Sequence, residues 1–189
     1  KNKNLETISL AGSTPRGEDE KSDALLEEEL KNSDKLIREH GLVTEEIKKK
    51  LSSVLDSLVI SELFTMKLPY IQHRQAKITG TLKDETSPLD LVGLMHPTAA
   101  VGGLPYNVAK EKILEIEKEK RNYYAAPVGI IGKDFSEIAV GIRSALIKEN
   151  KITVYGGAGI VMGSIAEEEW IETGTKMQPF TKVLNKSII

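Results

Sequence analysis

Glu137-Ile138-Ala139-Val140-Gly141-Ile142-Arg143-Ser144-Ala145-Leu146-Ile147 reads as a strand, Glu149-Asn150 as a turn, and Ile152-Thr153-Val154-Tyr155 as the strand that comes back. A connection that short returns the chain antiparallel, because a parallel neighbour needs a crossover of a dozen residues or more. Residues 126–131 add another strand just upstream. Downstream, Gly156-Gly157-Ala158-Gly159 leads through residues 160–164 into a last helix over residues 165–184.

The rest of the chain extends that pattern. Leu5-Glu6-Thr7-Ile8-Ser9-Leu10 alternates like a strand and is cut off by Ala11-Gly12-Ser13-Thr14-Pro15-Arg16-Gly17. From Ser22, apolar residues at three-to-four spacing (Leu25, Leu26, Leu30, Leu36, Ile37, Leu42, Val43, Ile47, Leu51) predict helix, interrupted at Gly41 to give two helices or one with a weak point. Residues 58–82 predict two strands separated near Pro69. Ser87-Pro88 opens a short helix through Leu94, and Asn107 caps another whose face is Val108, Ile113, Leu114 and Ile116. Antiparallel strand groups between long helices make the fold α+β rather than doubly wound α/β.

Composition narrows the function classes. The chain has 189 residues, 40% hydrophobic and 29% charged, with a formal net charge of −2. That balance argues against a nucleic-acid partner, which calls for a basic excess. With no cysteine there is no thiolate nucleophile, disulfide or cysteine zinc site. No apolar run approaches bilayer length, and Lys1-Asn2-Lys3-Asn4 carries no signal core, so no membrane partner and a cytoplasmic location are expected. A strand almost at the first residue suggests the back part of something larger.

Three clusters could carry chemistry. In the 138–146 stretch, strict alternation sets Arg143 on a face with Ala139, Gly141 and Ala145, where a guanidinium has room to meet a carboxylate or phosphate. A plain solvent-facing arginine reads equally well. The glycines at 157, 159 and 163 could admit a ligand to backbone N–H groups, or simply form a tight turn; they match neither the P-loop nor the Gly-x-Gly-x-x-Gly spacing. Glu169, Glu172 and Lys176 share one helical face. Two carboxylates a turn apart suit a hard divalent cation, and a solvated face with a Glu172–Lys176 pair is the bland alternative. His40, His73 and His96 form no His-Glu-x-x-His zinc motif. Spacing alone points to an anion site beside magnesium, and no further.

Eight collinear motifs sharpen this. They are Leu10-Ala11-Gly12-Ser13-Thr14-Pro15-Arg16-Gly17, Arg38-Glu39-His40-x-Leu42-Val43, Ile71-Gln72-His73, and Met95-His96-Pro97-Thr98-Ala99-Ala100-Val101-Gly102-Gly103. Then follow Tyr123-Tyr124-Ala125-Ala126-Pro127-Val128-Gly129, Ala139-Val140-Gly141-Ile142-Arg143-Ser144-Ala145, Tyr155-Gly156-Gly157-Ala158-Gly159-Ile160-Val161, and Glu169-Trp170-x-Glu172-Thr173-x-x-Lys176. In this order they resemble the chorismate-utilising enzymes, and among them the isochorismate synthases. The Leu42-Val43-Thr44-Glu45-Glu46-Ile47 run looks unlike the Arg-Asn-Asp tail of the amine-forming relatives, and the Tyr-Tyr motif looks most like menaquinone-pathway enzymes.

The resemblance implies part of an anthranilate synthase component I-like sandwich of antiparallel sheets with outer helices, residues 1–189 forming the C-terminal part of one chorismate-binding catalytic domain. It implies magnesium on Glu39 and Glu172, with Glu169 assisting through water. It places Gly12 and Ser13 in a substrate-contacting turn, Ala100 and Gly157 along the ring, His73 facing the substrate, and Arg143 on the enolpyruvyl carboxylate. Lys176 falls near metal and carboxylate. The family's general base, a lysine, and general acid, a glutamate, match no residue here, so the expected partners are chorismate and the missing N-terminal half. The implied activity is isomerisation of chorismate to isochorismate for menaquinone biosynthesis. Salicylate, siderophore-pathway isochorismate and anthranilate synthases are the enzymatic alternatives, and a catalytically silent chorismate- and magnesium-binding module is the non-enzymatic one.

Overall fold

The computed structural model describes residues 3–186. Strand β1 (Asn4–Pro15) leads into helices α1 (Glu20–Asn32) and α2 (Asp34–Leu51). Strands β2 (Leu55–Ile60), β3 (Phe64–Lys67) and β4 (Ile71–Leu82) follow. Then come α3 (Pro88–Met95), the single turn α4 (Ala99–Gly102) and α5 (Tyr106–Ile116). The C-terminal third is β5 (Pro127–Ile131), β6 (Ser136–Val140), β7 (Ala145–Lys148), β8 (Lys151–Val154) and α6 (Ala166–Lys186).

One antiparallel sheet organises the first half: β4 runs down its middle, with β1 on one side and both β2 and β3 on the other. Helix α2 lies on this sheet because Leu36, Val43, Ile47 and Leu51 recur at helical spacing and bury one stripe. Val43, Ile47 and Leu51 form the core with Ala11, Leu55 and Ile78. Burial of this kind contributes about 1.5–3 kcal/mol per large side chain. The later strands make two separate hairpins, β5–β6 and β7–β8. This is the α+β arrangement expected, in helices and antiparallel sheets.

Several boundaries fall elsewhere than the sequence suggested. Strand β1 does not stop at Leu10; it continues to Pro15 across a bulge at Gly12, whose φ of +76° suits a residue without a Cβ. The helical run breaks at Ser33, not Gly41, because the Ser33 hydroxyl accepts from the Leu36 N–H and caps α2. Gly41 sits mid-helix with open space beside it. Residues 58–82 hold parts of three strands, since the short β3 intervenes before the turn at Pro69. Asn107 is not a cap: α5 begins at Tyr106 with Pro105 before it, and Val108, Leu114 and Ile116 are exposed.

The predicted strand over residues 137–147 is two strands. The chain leaves β6 at Val140 and re-enters β7 at Ala145, turning through Arg143 at φ +52°. Strict alternation therefore fails at Arg143, which sits in a bend and not on a strand face. A left-handed arginine costs on the order of 1–2 kcal/mol and persists only where its surroundings hold it.

Candidate functional site

Five elements and three loops close around a cavity of about 450 Å³. The β1 bulge supplies Gly12 and Ser13, α2 supplies Glu39, β4 supplies His73, and α4 supplies Ala100. The bend after β6 adds Arg143, the glycine loop adds Gly157, and α6 adds Lys176. Eight residues expected to bind ligand or metal, spread over more than 160 positions, thus share one wall. Glu172 is also close by: its carboxylate lies 2.5 Å from the Lys176 ammonium, one turn along α6. It faces an adjoining hollow of about 330 Å³ that Ser13 also lines.

Local chain geometry explains why these side chains meet. The bulge at Gly12 shifts the register so that Ser13 pairs with His73 across the sheet, and Ser13 Oγ lies 2.7 Å from His73 Nδ1. On its other edge the His73 ring meets Arg143, with Nη2 3.3 Å from Nε2. A side chain on Gly12 would press on the Leu36 carbonyl at 3.1 Å, so the glycine also lets α2 approach β1. The Gly12 N–H donates to the Glu39 carboxylate.

The glycine loop works by omission rather than by cradling a phosphate. A Cβ on Gly159 would stand 3.0 Å from Glu39 Oε1, and one on Gly157 only 2.5 Å from the Tyr124 hydroxyl. The Gly157 carbonyl accepts from Lys176 Nζ at 3.0 Å, fixing the ammonium at the rim. Tyr124 stacks on Tyr155, with ring centroids 5.4 Å apart and planes 13° from parallel, and both rings line the cavity.

The electrostatics are those of a partly dry, mixed-charge site. Burial, and then the Glu172 carboxylate, push the Glu39 carboxyl above its usual range; Lys176 pulls the other way. Burial followed by the charges of Arg143 and Lys176 holds His73 down to about 4, so the ring is neutral at neutral pH. Burial lowers the Arg143 guanidinium, opposed by Glu172. Arg143 and Lys176 therefore stand as two cations over one cavity, ready for a ligand with more than one anionic oxygen.

Glu169 is held by a partner on another helix. It is buried, its Oε1 is gripped by Lys35 Nζ at 2.6 Å, and it does not line the main cavity. Burial works against its charge, but hydrogen bonds from Lys35 and Ser164 outweigh that and bring its pKa below normal. Among the described residues, no three histidine, aspartate or glutamate side chains gather as a metal-holding group. Glu39 and Glu172 remain a pair of carboxylates, the second raising the cost of ionising the first, which is the donor chemistry a hard divalent cation relieves.

The sequence pattern gives no sign of Lys35 or Arg121, and it carries Tyr124 and Tyr155 only within longer motifs. Arg121 lines the cavity, donates to the Val101 carbonyl at 2.7 Å and pairs with Glu117 at 2.6 Å. Nothing in the spacing of the Glu117–Arg121 charge run distinguishes it from a solvated face. The adjacent tyrosines 123 and 124 were the available signal: one is half-buried in the site, the other exposed.

The family model described as chorismate binding enzyme matches residues 1–185. Isochorismate synthase 2, chloroplastic, of Arabidopsis thaliana is 37% identical over 177 residues, which cover 93% of this chain and 32% of that protein. Anthranilate synthase component 1 of Saccharolobus solfataricus is 35% identical over 178 residues, 92% of this chain and 42% of that one. A Bacillus anthracis structure described as a 2,3-dihydroxybenzoate-specific isochorismate synthase superposes with a TM-score of 0.91 at 33% identity, covering 98% of this chain and 50% of that one. The menaquinone-specific isochorismate synthase MenF of Escherichia coli superposes at 0.85 with 35% identity, covering 95% and 42%. The chain thus spans about a third to a half of the length of these relatives.

Proposed function

Because the chain belongs to the chorismate-binding enzymes, we propose that it carries the substrate- and metal-holding part of an isochorismate synthase, an isomerase turning chorismate into isochorismate. The observation that carries this reading is the convergence of Gly12, Ser13, Glu39, His73, Ala100, Arg143, Gly157 and Lys176 on one cavity. Chorismate is a dianion, and Arg143 and Lys176 are the cations that would meet its two carboxylates. Likeness to MenF of Escherichia coli supports a role in menaquinone biosynthesis.

Each group then has a task. The Arg143 fork holds the enolpyruvyl carboxylate, and the strained bend that carries it sets its approach. Lys176, fixed by Gly157 and Glu172, sits where the ring carboxylate would lie. Ala100 and Gly157 leave room for the ring, and the Tyr124–Tyr155 stack helps keep water from it. Magnesium would be held by Glu39 and Glu172, with Glu169 assisting through water; when bound it supplies Lewis-acid charge against the ring carboxylate.

The net change adds water at C2 and expels the C4 hydroxyl, which needs a base and an acid. We assign both to chain beyond these 189 residues. The length of the relatives supports this, as do the apolar side chains left exposed on the hairpins and α6, such as Ile130, Ile147 and Trp170. Chromatography of the products formed from chorismate and magnesium tests the proposal. Isochorismate from the full-length protein, and none from residues 1–189 alone, is the expected result. Anthranilate or salicylate as the main product would replace this reading with another branch of the family, a branch the 35% identity to anthranilate synthase makes worth assaying.

A further inference from the structure

His73 joins two cavity residues, and the chemistry of one end fixes the other. Arg143 Nη2 stands 3.3 Å from His73 Nε2, and His73 Nδ1 stands 2.7 Å from Ser13 Oγ. A guanidinium is donor-only, so the nitrogen facing it must present its lone pair. A neutral imidazole then carries its proton on Nδ1, and that N–H donates to Ser13 Oγ. The Ser13 hydroxyl, already accepting, keeps its own hydrogen for another partner.

We propose that Arg143 locks His73 in the Nδ1–H tautomer and that His73, as a positioning residue, turns the Ser13 hydroxyl into a hydrogen-bond donor toward an acceptor atom of the bound ligand. The opposite tautomer would set an imidazole N–H against a guanidinium N–H, and a doubly protonated ring would meet the same conflict. The lowered His73 pKa agrees, since burial and the two neighbouring cations disfavour the imidazolium. Ser13, Arg143 and Lys176 then present only donors to the cavity. That array reads anionic or ether oxygens and discriminates against ligands that bring N–H groups to these three side chains.

The tautomer stands on geometry alone; the ligand rests on the reading above, in which the acceptor is an oxygen of chorismate. Nitrogen-15 NMR of the ligand-free full-length protein reads the tautomer, with the His73 signal assigned by its loss in His73→Phe. A protonated Nδ1 and a bare Nε2 on His73 are expected, and a protonated Nε2 overturns the proposal. Chorismate titrations then read the coupling. Ser13→Ala should weaken binding about 10-fold, the loss of one hydrogen bond to a charged group. In a Ser13→Ala/His73→Phe double variant the losses should overlap, within about 2-fold of the worse single variant. His73→Asn, whose amide can still donate to Ser13, should retain more affinity than His73→Phe. Fully additive losses, or no advantage of Asn over Phe, would leave His73 without a role through Ser13. An Nδ1–H signature in a protein that binds no chorismate would sink the ligand assignment while the tautomer stood.

Discussion

Lys35 on α2 holds the carboxylate of Glu169 on α6 at 2.6 Å, across 134 positions of sequence. The two side chains retain 23% and 7% of their exposure. Breaking this pair from the glutamate side strands a half-buried ammonium. Glu169→Ala should therefore destabilise the protein by about 2 kcal/mol, less than a fully buried pair because Lys35 still reaches solvent. Adding Lys35→Met should recover most of the loss. Urea unfolding of the two variants checks both, and equal stability of Glu169→Ala and the parent would mean the pair contributes nothing.

Glu172 and Glu39 should behave differently from Glu169. Replacing either by Gln keeps the shape and removes one charge from the proposed magnesium site. In the full-length protein each change should lower magnesium-dependent turnover at least about 100-fold, given the several kcal/mol that a metal supplies at a developing charge. The melting temperature should change little. Turnover near that of the parent at saturating magnesium would remove the residue from the metal site.

Gly157 tests the cavity wall. A methyl group there would stand 2.5 Å from the Tyr124 hydroxyl, so Gly157→Ala must displace that ring, which lines the cavity. Chorismate KM should rise about 10-fold, the equivalent of 1.4 kcal/mol, with stability nearly unchanged because the obstructing atom ends a side chain. Tyr124→Phe in the same background removes the obstructing atom and should restore part of the affinity. Steady-state kinetics of the three variants decide it; no KM change in Gly157→Ala would mean the wall is soft.

The pH dependence of stability should follow a cluster away from the cavity. Asp23 takes hydrogen bonds from Arg16 at 2.6 Å and Lys67 at 3.0 Å, and Lys67 also meets Glu27 at 2.8 Å. Hydrogen bonds from Lys31 and then Lys67 hold Glu27 down to about 2, from 4.5; those from Arg16, Gly17 and Lys67 hold Asp23 lower still, from 3.8. Both folded-state values lie below the unfolded ones. The stabilisation is thus fully present above pH 4.5 and is lost as pH falls toward 2. Thermal melts between pH 6 and 2.5 should fall steeply at the acid end, and Lys67→Met should flatten that fall. An unchanged slope in Lys67→Met would contradict the linkage.

How much of this the sequence could show depended on the range of the interaction. The α2 stripe and the Ser87–Pro88 start of α3 were legible because periodicity and capping are local. The break at Ser33 was legible in principle from its capping serine, but the apolar spacing runs on through it. Arg143 was singled out for a reason that fails, since it occupies a bend; what makes it a site residue is His73, 70 positions away. Glu39 is one acid among several on its helix, distinguished by its burial in the site, the distant Glu172 and the Gly12 N–H. Spacing left those groups unconnected, and the collinear motifs connected them.

Arg143 is where the assignment of this cavity to chorismate is most exposed to test. Isothermal titration of chorismate into the full-length protein and its Arg143→Ala variant should show affinity falling about 30-fold or more. That follows from the 2–5 kcal/mol at stake when one partner of a charged, hydrogen-bonded contact is removed. Arg143→Lys should recover only part, because an ammonium cannot reproduce the planar fork. Equal chorismate affinity in parent and Arg143→Ala would contradict the account.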